Sequence, residues 1–176
     1  AMDLRPNSDE GKVEALAAFG SADKDLLTLL NNATNIDKNS LSIEFDIQKI
    51  QYFYDIEWLK NQRQKIGDEN FCATVQSYLE DTVVDYLNAV YKKYPINNLC
   101  LSGGVAANII MSLQIYERTN FKNIYVLPPM GDEGLAIGSA ILAAIDLDQD
   151  VAWLRDFKMP YFGDSYTREE GKLALQ

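Results

Sequence analysis

Apolar residues recur at spacings of three and four along residues 70–92, which is the pattern of one face of an α-helix. The residues on this face are Phe71, Val75, Tyr78, Leu79, Val83, Tyr86, Leu87 and Val90. Asp68 or Asn70 can cap the start of such a helix, and Pro95 cannot continue it. The pattern therefore predicts a long amphipathic helix.

The chain after this helix alternates short apolar runs with helical patterns. The runs at 99–102 and 124–127 predict strands, and the patterns at 105–118 and 133–145 predict helices. The apolar face predicted for the first of these helices consists of Val105, Ile109, Leu113 and Tyr116. Short links between them favour a right-handed crossover of two parallel strands. The last helix is apolar nearly all round, which predicts that it is buried.

The segments before the long helix are less regular. Their patterns predict a helix over 11–30 that breaks at Gly20, a polar and turn-rich stretch over 31–40, a half-buried strand over 41–47 and a short helix over 50–66. The whole order predicts an α/β fold with a mainly parallel sheet flanked by helices. An incomplete sheet leaves an open edge, which favours pairing into a homodimer.

Composition narrows the possible chemistry. The 176 residues carry a formal net charge of −10 and include no histidine, which excludes a Ser-His-Asp site and an imidazole-based zinc site within the chain. The acidity argues against nucleic-acid binding. Cys72 and Cys100 lie far apart without a signal peptide, which favours the cytoplasm, and Cys100 is expected to be a buried small hydrophobe. The apolar run Leu135–Ile145 is too short to cross a bilayer.

The first candidate for binding chemistry is the segment Ser102–Asn108, in which a predicted strand runs through Gly103 and Gly104 into a helix. Glycines let backbone N–H groups approach a ligand, and a helix start favours anions. Ser102, Gly103, Gly104 and Val105 therefore suit a phosphate, and Asn108 could reach a ribose or base. The alternative is a tight turn with no ligand.

The second candidate is the segment Met130–Gly134, which follows the second predicted strand. Both glycine turns then lie at the carboxyl ends of parallel strands, where open α/β sheets bind ligands. Gly131 and Asp132 could face a ligand or a metal. The alternative is that Asp132 and Glu133 only cap the next helix.

The third candidate is the charged segment Asp9–Lys12, with Glu10 and Lys12. From the residues alone it is an ordinary solvated face.

Four segments are more informative together than each is alone: Gly11–Gly20, Ser102–Asn108, Asn123–Gly138 and Tyr161–Tyr166. In this order they resemble segments of the nodulation-protein-U-type O-carbamoyltransferases. The family has Gly-Lys-Val-Met-Gly-Leu-Ala-Pro-Tyr-Gly in the first, Ser-Gly-Gly-Val-Ala-Leu-Asn in the second and Gly-Asp-Asp-Gly-Leu-Ala-Leu-Gly at the end of the third. The departures here are Glu14-Ala15 for Met-Gly, Ala18-Phe19 for Pro-Tyr and Glu133 for the second Asp.

The resemblance implies a ribonuclease-H-like half of an actin-like ATPase (ASKHA) domain, similar also to the tRNA threonylcarbamoyladenosine-forming enzymes. Residues 1–159 would be the second half of that domain, and 160–176 would begin a linker toward an adenylate-forming domain. Thr167 and Glu170 predict a capping box at the start of a last helix, which has barely begun when the chain stops. Because Ala1 before Met2 also looks like a tag remnant, a truncated chain is expected.

The resemblance also implies an activity. ATP and carbamoyl phosphate give carbamoyl-adenylate, and the carbamoyl group passes to the hydroxyl of a sugar-like or antibiotic-like small molecule. Ser102, Gly103, Gly104, Val105, Asn108 and Gly131 would bind the nucleotide, with Glu10 and Lys12 near its ribose. Asp132 would be the catalytic metal ligand, with two histidines from the missing half completing a site for iron or magnesium.

Two further interpretations keep the architecture but change the function. One is a relative of the enzymes that transfer threonylcarbamoyl groups to tRNA, against which the net charge of −10 weighs. The other is a non-catalytic, actin-like nucleotide-binding module. The fragment alone is expected to be inactive under the leading interpretation.

Overall fold

The structure is a computed structural model that describes residues 2, 4–5, 8–46, 48–49, 55–156 and 165–175. The chain divides into two compact units, Ala1–Asp132 and Glu133–Gln176. The predicted strand residue Ile47, part of the predicted helix over 50–66 and most of the Tyr161–Tyr166 motif lie outside the described residues.

The first unit combines helices with two small sheets, as the α/β prediction requires. Its elements are α1 (Glu10–Ala17), α2 (Lys24–Asn32), β1 (Thr34–Asp37), β2 (Ser42–Phe45), α3 (Ile56–Ile66), α4 (Asp68–Lys93), β3 (Asn98–Leu101), a 3₁₀ turn (Gly104–Ala107), α5 (Ile109–Arg118) and β4 (Asn123–Val126).

The long helix α4 is the element on which the first unit is built. One apolar cluster joins Leu87 of α4 to Met111 and Ile115 of α5 and to Phe121 in the loop before β4. A second cluster joins Phe71, near the start of α4, to Leu26 and Leu30 of α2. The helix therefore buries side chains on more than the one face that its periodicity predicted, including Cys72, Thr74 and Gln76.

The two sheets each contain a pair of strands. β3 and β4 are parallel, with Asn98 opposite Asn123 and Leu101 opposite Val126, which confirms the predicted crossover through α5. β1 and β2 form an antiparallel hairpin.

The strand β1 lies in the stretch that the sequence predicted to be turns. It carries a single apolar residue, Ile36, so no alternation marks it. Its backbone pairs with β2, and the Asp37 carboxylate accepts hydrogen bonds from the N–H groups of Asn39 and Ser40 in the connecting loop. Pairing with a neighbour that has the stronger strand pattern decides its conformation.

The long helix begins at Asp68, and neither predicted side-chain cap is present. Gly67 precedes the first turn with φ +87 and caps without a side chain. Asp68 instead pairs with Arg63 at 2.8 Å, and the Asn70 side chain accepts a hydrogen bond from the Ser21 N–H. Both candidate caps are thus used to hold α4 to the segments that precede it.

The predicted helix over 105–118 is shorter than expected, because a 3₁₀ turn occupies Gly104–Ala107 and α5 starts at Ile109. Its buried residues are Met111 and Ile115. The predicted apolar face is exposed, with Ile109 at 76% and Tyr116 at 66% of full exposure. The helix is apolar on two sides, and α4 covers the other one.

The second unit contains α6 (Gly134–Asp146), a 3₁₀ turn (Ala152–Asp156) and α7 (Arg168–Leu173). The predicted capping box of Thr167 and Glu170 is present at α7. No residue of α6 is buried, and Leu135 is 70% exposed, so the predicted burial of this helix is wrong for this chain. Glu133 also makes no side-chain capping bond.

The two cysteines have different surroundings. Cys72 is buried within α4, and burial raises the pKa of its thiol. Cys100 is exposed, which corrects the expectation that it is a core residue. It lies on the open side of the two-stranded sheet β3–β4, where residues alternate between exposed and half-buried positions.

Helices long and apolar enough to traverse a membrane are absent from the described part of the chain.

The contact at Gly20, three residues after α1 ends, gives a test of how the segment after α1 packs on α4. A Cβ at Gly20 would lie 2.1 Å from the carbonyl oxygen of Glu69, whereas one at Gly11 would meet nothing within 4 Å. We expect Gly20→Ala to lower the free energy of unfolding by about 2 kcal/mol because the backbones must separate. Gly11→Ala, the matched control, should be neutral or stabilising by up to ~1 kcal/mol. Urea denaturation of both variants checks this, and equal effects would contradict it.

Candidate functional site

The glycine turn that follows β3 has a backbone geometry that needs glycine. Gly103 has φ +100 and ψ 156, a combination that side-chain-bearing residues rarely adopt. Its N–H donates to the Met130 carbonyl at 2.7 Å, and the turn closes through the Ala106 N–H and the Gly103 carbonyl at 2.9 Å. The loops that follow β3 and β4 are therefore bonded directly to each other.

The donors that the turn presents are those of Gly104 and Val105, which begin the 3₁₀ turn. Their N–H groups have no acceptor among the described residues, since the bonds of this turn start from Gly103 and Ala106. Ser102, Gly103, Gly104 and Val105 are all exposed. A Cβ at Gly103 or Gly104 would enter open space, so the surface beside the turn is free for a ligand.

The side chain of Asn108 makes its hydrogen bonds to other groups of the protein. Its Oδ1 accepts from the Met111 N–H at 2.8 Å, so it is the N-cap of α5. Its carboxamide also pairs with that of Gln76 through bonds of 2.8 and 3.0 Å. Gln76 is 7% exposed and donates in addition to Glu80 at 2.8 Å. The arrangement places Asn108 in a buried amide pair.

Gln76 is a residue that the sequence did not single out. It stands between Val75 and Ser77 within the helical pattern of α4, where one polar position looks like any other. Its pair with Asn108 forms only where α5 approaches α4.

The charged segment before α1 is partly internal. Asp9 is buried, and Lys12, whose side chain is 60% exposed, pairs with it at 2.8 Å. The hydrogen bond from Lys12, followed by the one from the Arg5 N–H, lowers the pKa of the Asp9 carboxyl. Glu10 is exposed at the first position of α1. The interpretation of Glu10 and Lys12 as a purely solvated face thus holds only in part.

Glu14 is a second residue that the sequence did not assign to the site. Its Oε1 accepts hydrogen bonds from the N–H groups of Ile109 at 2.9 Å and Ile110 at 3.3 Å, across 95 residues of chain. This contact brings α1 to the start of α5, directly after the glycine turn. The only signal in the sequence is that Glu14 departs from the methionine of the resembled motif.

Gly131 and Asp132 lie in the loop bonded to the glycine turn through Met130. Gly131 is half-buried and Asp132 is exposed. The described residues contain no group of three or more His, Cys, Asp or Glu side chains placed to hold one metal ion. The donors in this chain therefore do not by themselves fit the metal site that the resemblance implies.

A separate cavity of about 710 Å³ lies between β1, α4 and the end of α5. Its lining is mixed and includes the charged residues Lys38, Asp85 and Lys92 and the pair of Asp81 with Arg118. None of the predicted site residues lines it. The glycine turn and this cavity are two different places on the first unit.

The amide pair gives a test of how the turn is held. Asn108→Ala removes the cap of α5 and leaves the Oε1 of the buried Gln76 without its donor, so we expect a loss of roughly 2–3 kcal/mol in the free energy of unfolding. Asn120→Ala changes an exposed turn residue and is the control, with no effect beyond about 0.5 kcal/mol. Urea denaturation measures both, and a small effect of Asn108→Ala would contradict the role given to the pair.

Comparison with known proteins adds a family match. Residues 2–141 match the sequence model of a family described as Carbamoyltransferase N-terminus.

Sequence comparison also finds individual relatives. An uncharacterised protein of Methanocaldococcus jannaschii is 51% identical over 175 residues, which cover 99% of this chain and 29% of that protein. An uncharacterised protein of Synechocystis is 34% identical over 110 residues, which cover 61% of this chain and 18% of that protein. Nodulation protein NolO of Bradyrhizobium diazoefficiens is 26% identical over 145 residues, which cover 79% of this chain and 26% of that protein. The chain spans less than a third of the length of these relatives.

Proposed function

The chain belongs to the carbamoyltransferase family, within the part described as its N-terminus, and from this premise we propose that it contributes the nucleotide-binding turn of an ATP-dependent O-carbamoyltransferase. The matched relatives are more than three times as long as this chain, so the complete reaction is proposed for the whole protein and a share of the site for these residues.

The observation that supports this proposal best is the turn after β3. Gly103 bends the chain with φ +100, its own N–H is held by Met130, and the N–H groups of Gly104 and Val105 remain open on an exposed surface. Backbone N–H groups at a glycine turn are a common way to bind phosphate oxygens. In the proposal the nucleotide phosphates lie along Ser102–Val105.

The fold proposed for the first unit is half of a ribonuclease-H-like, actin-like domain. The order of α4, β3, α5 and β4, with β3 parallel to β4, is consistent with the end of such a half domain. The hairpin of β1 and β2 supplies antiparallel strands before it.

The other predicted residues receive distinct roles. Asn108 positions α5 instead of contacting the ribose or base, because its carboxamide is bonded to Met111 and Gln76. Glu10 and Lys12 stay proposed as ribose neighbours, since Glu14 ties their helix to the start of α5. Gly131 stays proposed as part of the same nucleotide region through the bond between Met130 and Gly103.

The chemistry proposed for the whole protein is transfer of a carbamoyl group from carbamoyl-adenylate to an acceptor hydroxyl. The hydroxyl oxygen forms a bond to the carbamoyl carbon and releases its proton to water, the bond from that carbon to the AMP phosphate oxygen breaks, and AMP leaves with the electron pair. Backbone donors on the phosphate oxygens stabilise AMP as a leaving group, because they need no reorganisation when charge develops. The acceptor is proposed to be a hydroxyl-bearing small molecule.

The metal that the resemblance implies is not assigned a step in this reaction. Asp132 offers a single exposed carboxylate, and a catalytic metal needs about three protein ligands. Asp132 remains proposed as one ligand, with the others supplied from outside this chain.

Substitution of Gly104 tests the nucleotide assignment without bending the backbone. We expect Gly104→Ala to weaken ATP binding about tenfold, since its Cβ occupies the space in front of the open donors and one hydrogen bond is worth about 1–1.5 kcal/mol. Gly11→Ala is the control, because its Cβ also meets open space but lies in α1. Isothermal titration calorimetry on the 176-residue chain measures both. Equal affinities for the two variants, or no ATP binding to the unaltered chain, would remove the assignment.

The incomplete donor set gives a second test of the proposal. Given ATP, carbamoyl phosphate and a hydroxyl acceptor, the chain alone should release no carbamoylated product, because its described residues lack a three-ligand metal group. Mass spectrometry of the acceptor checks this. Product formation by the chain alone would show that the proposed division of the site is wrong.

A further inference from the structure

The start of α5 is closed to ligand anions by the protein's own side chains. The first N–H groups of the helix belong to Ile109, Ile110 and Met111. Glu14 Oε1 accepts from the first two at 2.9 and 3.3 Å, and Asn108 Oδ1 accepts from the third at 2.8 Å. A helix start ordinarily leaves such donors free for an anion, but here a carboxylate from α1 already occupies that position.

Glu14 is held in this position by the packing around it. The residue is half-buried within α1, and three residues after that helix ends, Gly20 lies close to the Glu69 backbone of α4. Asn108 is fixed on the other side by its pair with the buried Gln76. The carboxylate therefore faces the helix start from a supported element.

The neighbouring glycine turn, unlike the start of α5, has N–H groups that remain open to a ligand. The N–H groups of Gly104 and Val105 have no acceptor among the described residues, and a Cβ added at Gly104 would meet nothing within 4 Å. The two adjacent groups of N–H donors thus differ: those of Ile109 and Ile110 already donate to a carboxylate, and those of Gly104 and Val105 have no acceptor among the described residues.

We propose that Glu14 determines where a phosphate binds, because its carboxylate fills the anion position at the start of α5 and confines a ligand phosphate to Gly104 and Val105. The inference rests on the proposed function in that the ligand is a nucleotide. It assigns a specificity role to a residue at which this chain departs from the methionine of the resembled motif.

The experiment follows backbone amide signals of the ¹⁵N-labelled 176-residue chain during titration with ATP and, separately, with inorganic phosphate. In the unaltered chain we expect shifts at Gly104 and Val105 and none at Ile109 and Ile110. In Glu14→Ala the signals of Ile109 and Ile110 should also shift with inorganic phosphate, since their donors become free. Glu117→Ala, which removes an exposed carboxylate of α5, is the charge-matched control and should behave as the unaltered chain does.

A second variant covers the case in which Glu14→Ala does not fold. Glu14→Gln keeps an oxygen that can accept both hydrogen bonds and removes the negative charge, so phosphate should shift Ile109 and Ile110 by less than in Glu14→Ala but by more than in the unaltered chain. The inference is overturned if the unaltered chain already responds at Ile109 and Ile110, or if neither Glu14 variant responds there.

The two proposals fail separately. Silence of Gly104 and Val105 toward ATP in the unaltered chain would overturn the nucleotide assignment. The response of Ile109 and Ile110 to inorganic phosphate in the Glu14 variants decides the role of Glu14 without reference to nucleotide binding.

Discussion

The packing of α5 on α4 is the interaction on which the rest of the first unit depends. Ile115 is fully buried between the two helices, with Leu87 and Met111 beside it. Because α5 connects β3 to β4, fixing α5 fixes both ends of the parallel crossover. The loops after the two strands then meet, and the bond from Gly103 to Met130 forms. The geometry of the glycine turn is thus a consequence of apolar packing some distance away from it.

Polar contacts add orientation to this packing. The Gln76–Asn108 pair lies where α4 meets the start of α5, and a buried amide must find partners or lose the hydrogen bonds it made to water. The pair therefore favours one rotation of α5 over neighbouring ones. Glu14 applies the same constraint from α1. Three helices are in this way aligned at one helix start, immediately after the open donors.

Patterns that depend on local sequence predicted much of the fold. The periodicity of α4, the crossover between β3 and β4 and the capping box at Thr167 are set by neighbouring residues, and all are confirmed. Features that depend on distant partners were missed. β1 needs β2 to become a strand, and the buried face of α5 was decided by α4, because the helix is apolar on two sides.

In the candidate site, too, the feature set by local sequence was predicted and the features set by distant partners were missed. The glycine turn was predicted because its geometry follows from glycine itself. Gln76 and Glu14 have roles only through partners that lie 32 and 95 residues away, and no pattern in one sequence shows such pairs. Asn108 was identified as important, but its partners are protein groups, which only the packed structure could reveal.

The electrostatics of the chain place a final constraint on the proposed site. A chain of net charge −10 does not attract a nucleotide through its overall field. Lys12, the cation in the predicted site set, is already paired with the buried Asp9, and Glu14 puts a negative charge beside the turn. In the proposed phosphate segment Ser102–Val105, the binding groups are the Ser102 hydroxyl and neutral backbone dipoles. Dipoles act over short distances, so affinity must come from their placement, and that placement requires the backbone angle of Gly103 that only glycine adopts readily.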